Sequence, residues 1–425
     1  MKLSYEGLKD RAAWEKAGVR VPDYDWEATA KETLAHPVWV HFGSGSLVRA
    51  FHARLQQSLL EQGLAKSGII CAETFDYEIV DKVYDPYDNL AVMVSLKPDG
   101  STEKEIVASV AKGLRASHSY PEDEGKVSFP WTMIDKITPR PAEVVEKVLN
   151  DLGIEDMAPV VTAKKSFVGP FVNSEIPQYL VVEDRFPNGR PPLEKAGVYL
   201  TDRDTVNDCE RMKVTTCLNP LHTALAVYGC LLGYTSIAAE MKDPELKALV
   251  EKIGYTEGMP VVVDPKILSP DAFIHEVVEQ RFPNPFIPDT PQRIATDTSQ
   301  KVGIRFGETI KSYVNRPELD VKSLTFIPLA IAGWIRYLLA VDDEGKAMEL
   351  SGDPMMDSLQ KQLEGVKVGD PESLGEKIRP ILSNEVLFGS DLMALGLGEK
   401  IEAMVKEELA GPGAVRETLR KYLKS

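Results

Sequence analysis

Cysteine is scarce in this chain. The four present, Cys71, Cys209, Cys217 and Cys230, form no C-x-x-C pair and no zinc-ligand spacing. Each is therefore expected to pack as a small buried residue, as suits a reducing cytosol, rather than to enter a disulfide. Long apolar runs are lacking too. The longest, residues 326–341, is interrupted by Arg336 and is short for a membrane span. Residues 1–14 are charged and amphipathic, unlike a signal peptide. Basic excess is absent: 49 Lys and Arg face 65 Asp and Glu, a net charge of −16. That argues against nucleic acid or an anionic membrane as partner, since both require a basic face. A local basic pocket for an anionic small molecule stays open. His36, His41, His52 and His275 have no partners at metal-ligand spacing, so no metal is expected. There is no internal repeat and no low-complexity tract. These shortages point to a cytoplasmic protein that handles a small molecule.

What is present is an ordinary globular composition, 43% hydrophobic and 27% charged, with enough chain for two domains. Residues 38–42 are apolar and β-rich and end at Gly43-Ser44-Gly45-Ser46. Residues 47–64 then show helical spacing, with Leu47, Phe51, Leu55 and Leu59 on one face and Gly63 closing the helix. A second buried strand follows over 67–73, with Glu73 at its C-terminal end. Strand, glycine turn, helix, strand and acid is the order of a dinucleotide-binding βαβ unit. Gly43 and Gly45 would let the backbone approach a pyrophosphate, and the helix start at Ser46 and Leu47 would supply N–H groups. Val48 replaces the third glycine. Glu73 lies about 30 residues after Gly43, beyond the usual spacing of about 20, which the longer helix accounts for. A carboxylate there would accept hydrogen bonds from both adenosine ribose hydroxyls and repel a 2′-phosphate, which predicts NAD over NADP. The alternative is a phosphate-free turn with a surface Glu73.

Further strand and helix material is expected over 102–113 and 142–153, a polar loop over 120–125, and later strands at 160–161 and 179–184. Residues 185–192 should be a loop, because their prolines and glycine break regular structure. From about residue 206 the pattern turns helical: 219–234, 244–252, 270–280, 324–340, 353–363, 398–409 and 415–423. The expected organisation is an α/β Rossmann-type domain over 1–205 and an all-α domain over 206–425, with a cleft between them.

The densest chemistry lies at Lys213-Val-Thr-Thr-Cys-Leu218-Asn219-Pro220-Leu221-His222, opening an apolar helix. A tunable base, an amide and an imidazole stand together beside a segment in which an unpaired polar group would cost several kcal/mol, roughly 2–7. Asn219 suits an N-cap and Pro220 a first helical turn. His222 then falls on a face close to Asn219. A capped helix with a satisfied core histidine would read the same way.

Several blocks, in order, carry a resemblance. They are Gly43-x-Gly45-x-Leu47-x-Arg49-Ala50, Phe129-Pro-Trp-Thr-Met-Ile-Asp135-Lys-Ile-Thr-Pro139, Glu183-Asp184-Arg185-Phe186 with Gly189-Arg190-Pro191, and Lys213…Leu218-Asn219-x-x-His222. Arg281-Phe-x-Asn284-Pro285, Arg293-Ile-Ala-x-Asp297-x-Ser299-x-Lys301 and Trp334-Ile-Arg-Tyr337 complete the set. The chain resembles the long-chain mannitol dehydrogenase family, which includes mannitol 2-dehydrogenase, fructuronate reductase and tagaturonate reductase.

The resemblance implies a metal-independent oxidoreductase with a Rossmann-type N-terminal domain and a helical C-terminal domain. It implies Lys213 as general base, Asn219 as the amide that stabilises the alkoxide-like oxygen, and His222 as the residue that contacts and orients the substrate. Asp184, Arg293 and Lys301 would line the substrate site; Gly43, Gly45, Ser46, Leu47, Arg49 and Glu73 would hold NAD. The chemistry suits these types. A lysine can serve as base if burial or a neighbouring cation lowers its pKa, an amide can stabilise an oxyanion, and an arginine can grip hydroxyls or a carboxylate.

Two departures stand out. The lysine precedes the asparagine by six positions where the family has five, so Val214 holds the expected place and a one-residue bulge would be needed. The family's S-C-D-N loop has no visible counterpart; Asn173 is a candidate substitute, and Ser117 and His118 are loop residues first. Lys164 and Lys165 add cations that could meet a carboxylate. The favoured reading is NAD-dependent interconversion of fructuronate or tagaturonate with mannonate or altronate. A polyol 2-dehydrogenase and a catalytically altered binding homologue are the alternatives.

Overall fold

The computed structural model describes residues 1–117 and 128–424. The polar loop expected at 120–125, and His118, lie outside the described residues. The chain divides into two units, Met1–Val206 and Asn207–Ser425, with the boundary inside the helix Arg203–Met212.

The first unit is α/β. Its strands are β1 (Val19–Arg20), β2 (Trp39–Phe42), β3 (Ile69–Glu73), β4 (Ala91–Leu96), β5 (Thr102–Val107), β6 (Val110–Arg115), β7 (Thr132–Asp135), β8 (Val160–Val161), β9 (Phe167–Val168), β10 (Phe171–Glu175), β11 (Tyr179–Glu183) and β12 (Tyr199–Thr201). Strands β2, β3 and β6 form a parallel sheet in the order β2-β3-β6, with Trp39 opposite Ile69 and Phe42 opposite Ala72. The βαβ unit expected from the sequence is thus present, and the unit is Rossmann-type. A mixed sheet (β1-β5-β4-β10) and a smaller one (β12-β11-β7) accompany it.

The crossover between β2 and β3 starts as a wide turn, Val48–His52, and continues as the α-helix Ala53–Glu61. Its apolar stripe does what the spacing predicts. Phe51, Leu55 and Leu59 pack with Leu180 and Val182 of β11, while Val48 and Ala50 join Ile69, Cys71 and Val80 in a second cluster. Gly63 ends the helix in the left-handed region, at φ +69°.

The second unit is helical among its described residues, with isolated bridges as its only β pairing. Two helices, Asn219–Leu231 and Phe326–Tyr337, are buried almost all round, as expected of core helices. Tyr228 on the first reaches the second, where its hydroxyl donates to the carbonyl of Leu329 at 2.7 Å. Gly333 makes this possible: a Cβ there would stand 2.6 Å from Tyr228 Cζ. Arg336, which breaks the apolar run, is fully buried and donates to the carbonyls of Val341, Asp342 and Glu408. No helix among the described residues is long and apolar enough to cross a membrane. All four cysteines are buried and unpaired.

One local expectation is corrected. Asn219 is the first helical residue, not the N-cap; Leu218 (φ −134°, ψ −62°) holds that position and makes no side-chain cap bond. The reason is the wide turn Lys213–Cys217, which runs directly into the helix and leaves no extended residue to act as cap.

Candidate active-site residues in each unit

In the first unit the glycine turn sits at the C-terminal end of β2. The Gly43 amide donates to the carbonyl of Ala72 at 2.8 Å, which pins the turn to β3. Gly43 has φ +107°, a conformation that L side chains rarely adopt. A Cβ at either Gly43 or Gly45 would meet nothing within 4 Å. The turn therefore has open space beside it, at the start of the helical segment that follows, where unpaired backbone N–H groups stand. That arrangement fits a pyrophosphate.

Glu73 ends β3 as expected and is buried, at 6% exposure, unlike the surface Glu73 of the alternative reading. Its Oε2 accepts from the amide of Ser44 at 3.0 Å and from the Ser44 hydroxyl. Its Oε1 accepts from the amides of Thr74, Phe75 and Asp76 at 3.1, 2.9 and 3.0 Å. Burial works against the charge, yet the amides of Asp76, Phe75 and Ser44 and the Ser44 hydroxyl hold the carboxyl below its ordinary value. Five donors from the protein already engage this carboxylate. Arg49 also points inward: it donates to the carbonyl of Gly169 at 2.8 Å and lies over the Tyr84 ring. Burial lowers its pKa.

Asp184 lies just past β11 and forms a two-point ion pair with Arg190, at 2.8 and 2.9 Å, which lowers its pKa. Asn173 is buried on β10 and donates to the carbonyl of Arg140 at 2.7 Å. Lys164 and Lys165 occupy the exposed turn between β8 and β9, with Lys164 against the Phe75 ring.

In the second unit Lys213 opens the wide turn Lys213–Cys217. The Leu218 amide donates to the Lys213 carbonyl at 3.1 Å, an i to i+5 bond. Such a turn holds one residue more than an α turn. The bulge thus falls where the sequence has one residue more between lysine and asparagine than the family it resembles.

Asn219 and His222 follow one turn apart on the helix. His222 is nearly buried, with 14% of its side chain exposed, and its ring packs against Phe282 at 5.0 Å. Its Nε2 stands 3.7 Å from Asp289, too far for a hydrogen bond, and has no partner. Burial pushes the His222 pKa down to about 4; Asp289 opposes this, while Arg305, Arg293 and Arg281 reinforce it. The imidazole is therefore neutral near pH 7.

The cations converge on the same histidine. Arg293 pairs with Asp289, which faces His222. Lys301 donates to the carbonyl of Thr296 at 2.5 Å, and burial followed by the nearby Arg305 lowers its pKa. The unit thus brings His222, one turn along the helix from Asn219, within electrostatic reach of Arg281, Arg293 and Arg305, and Lys301 within reach of Arg305 and Arg293. Arg281 and Asn284 are buried, and Asn284 accepts from the amide of Phe286 at 3.0 Å, fixing the loop that carries Phe282. Sequence reasoning missed Asp289 and Arg305. Each lies four positions from a residue it named, Arg293 and Lys301, so helical spacing was the available signal.

Comparison with known proteins agrees with this architecture. The family described as "Mannitol dehydrogenase C-terminal domain" matches residues 205–407. A Thermotoga maritima protein named D-mannonate oxidoreductase is 45% identical over 535 aligned positions, covering 100% of this chain and 99% of that protein. Set against 425 residues, those positions leave about 110 of the relative's with no counterpart here. A Saccharomyces cerevisiae mannitol dehydrogenase is 33% identical over 70% of this chain, which spans 54% of that protein. Among solved structures, a Pseudomonas fluorescens mannitol 2-dehydrogenase complex with NAD and D-mannitol shares the fold, with a TM-score of 0.69 at 21% identity over 100% of both chains. A D-sorbitol dehydrogenase shares it with a TM-score of 0.72 at 20% identity, covering 93% of this chain and 98% of that one. The chain belongs to the mannitol dehydrogenase family.

Proposed function

We propose that this chain is a cytoplasmic NAD-dependent oxidoreductase that interconverts a hexonate, mannonate or altronate, with the matching ketohexuronate, fructuronate or tagaturonate. The observation that carries this reading is the 45% identity, along the whole chain, to a D-mannonate oxidoreductase. The open glycine turn and the cationic surroundings of His222 support it.

NAD, when bound, accepts or returns a hydride at its nicotinamide. Gly43, Gly45, Ser46 and Leu47 present the open turn and helix start to its pyrophosphate, Glu73 braces that turn from behind through Ser44, and Arg49 supports the cofactor site from within the fold. Lys213 takes the proton of the reacting carbinol, and the wide turn takes up the extra residue between it and Asn219. The Asn219 amide donates to the carbinol oxygen as it gains negative charge. Neutral His222 orients the substrate. Asp184, Arg293 and Lys301 contact the rest of the sugar acid, the two cations favouring a carboxylate in an otherwise acidic protein.

A polyol 2-dehydrogenase is the second reading, favoured by the identity to the yeast mannitol dehydrogenase. A homologue with altered catalysis is the third, favoured by the missing S-C-D-N loop and the shorter chain. The deciding experiment follows absorbance at 340 nm with mannonate, altronate, mannitol, arabinitol, fructuronate, tagaturonate and fructose, with NADP(H) in parallel. Turnover confined to the acids with NAD(H) supports the first reading. Turnover confined to neutral substrates moves the assignment to the second, and none at all to the third.

A further inference from the structure

Arg305 lies in a wide turn, Gly303–Gly307, of the second unit. Its Nη1 donates to the hydroxyl of Thr223, the residue after His222. That hydroxyl in turn donates to the carbonyl of Asn219 at 2.9 Å. The guanidinium therefore ends a two-bond chain that runs into the first turn of the helix Asn219–Leu231. Three other arginines of this unit pair with carboxylates, Arg293 with Asp289, Arg379 with Glu402 and Glu376, and Arg416 with Asp243 and Glu245, whereas Arg336 and Arg316 spend their donors on backbone carbonyls. Among the described residues no carboxylate pairs with Arg305, and burial alone lowers its pKa, to about 10. In a chain with 16 excess negative charges, a half-buried cation without an acidic partner is an arrangement that packing by itself would disfavour.

We infer that Arg305 is a positioning residue: its guanidinium holds the first turn of the helix that carries Asn219 and His222, and lays an uncompensated positive charge beside His222. The inference rests on the roles proposed above for Asn219 and His222. It assigns Arg305 two separable tasks. The hydrogen bond to Thr223 sets where the Asn219 amide and the His222 ring stand. The charge, together with Arg293 and Arg281 and against Asp289, adds to the burial that keeps His222 unprotonated.

Two variants of the full chain separate these tasks. Arg305→Lys keeps the charge and loses the planar fork; Arg305→Gln loses both. For Arg305→Gln we expect kcat to fall about 100-fold, with the Kd for NADH within threefold of wild type. Loss of a nearby cation should raise the His222 pKa by about one unit, read as a shift in the acid limb of the rate profile and, independently of turnover, by NMR titration of the six histidines. Arg305→Lys should lower kcat about 10-fold while leaving the His222 titration where it is in wild type. Unchanged kcat in both variants, or a His222 titration that does not move in Arg305→Gln, overturns the inference. Loss of NADH binding and of the thermal transition in both variants also overturns it, since Arg305 would then be a folding residue. If wild type turns over none of the sugar acids or polyols, the functional reading fails, and the NMR titration still decides whether Arg305 sets the charge state of His222.

Discussion

Ser44 and Glu73, 29 residues apart in sequence, are joined by two hydrogen bonds to a single carboxylate oxygen. The other oxygen of Glu73 caps the three amides after β3. The acid at the end of the second strand therefore fixes the shape of the glycine turn.

Glu73→Gln should weaken NADH binding by about 10-fold or more and destabilise the chain by about 1–3 kcal/mol, because an amide has one acceptor oxygen where the carboxylate has two. The carboxyl is held below its ordinary value. Its contribution is thus present above the unfolded-state pKa and lost as pH falls through the folded one. Fluorescence titration with NADH and urea unfolding at pH 7 and pH 4 check this. Unaltered affinity would mean that the turn keeps its shape without the brace.

Lys213→Ala should lower kcat by about 1000-fold with NADH affinity preserved, as expected when a general base is lost from a site that still binds cofactor. Steady-state kinetics beside equilibrium NADH titration provide the measurement. Turnover at the wild-type rate would remove Lys213 from the role of base.

His52 predicts acid sensitivity in the first unit. Its ring lies against His41, 4.7 Å between centroids, with a buried Nδ1 that has no partner. Burial, and then His41, push its pKa down to about 4. The folded form stays neutral where the unfolded chain takes up a proton near pH 6.5. Stability should be complete above that value and fall by about 1.4 kcal/mol per unit as pH drops towards 4. His52→Phe should flatten this slope in denaturant titrations between pH 4 and 7. Parallel slopes for variant and wild type would refute the assignment.

Glu240 predicts the opposite trend in the second unit. It is fully buried, neither carboxyl oxygen has a hydrogen-bond partner, and burial, then Asp243, push its pKa up to about 9. The folded form keeps its proton while the unfolded chain releases it near pH 4.5. Stability should therefore decline as pH rises from about 4.5 to 9, at up to about 1.4 kcal/mol per unit. Glu240→Gln removes the titration and should melt at a higher temperature than wild type at pH 8 but not at pH 5. Equal melting temperatures at both values would show that Glu240 does not titrate in this range.

The chain's local patterns were enough to place the parallel βαβ unit, its glycine turn and the main helices of the second unit, because periodicity and breakers act over a few residues. A short apolar run bounded by Gly68 and ending at Glu73 marks β3, and the stripe Phe51, Leu55, Leu59 marks one helix face. The order Lys213, Asn219, His222 and the mismatch of one residue were legible for the same reason. What the mismatch does was not. Only the folded chain shows that a wide turn lies between Lys213 and Asn219, and that Asn219 begins the helix instead of capping it.

Tertiary structure alone decided the partners of the charged groups. Glu73 meets Ser44, Asp289 faces His222, and Arg305 reaches Thr223 82 positions away. Those pairings depend on which segments pack together and on how much water packing removes, and neither is carried by local spacing. Burial sets whether His222 is neutral, whether Glu240 keeps its proton and whether an arginine is left without a carboxylate. The sequence by itself determined which chemical groups are present and in what order; the folded environment determined their charge.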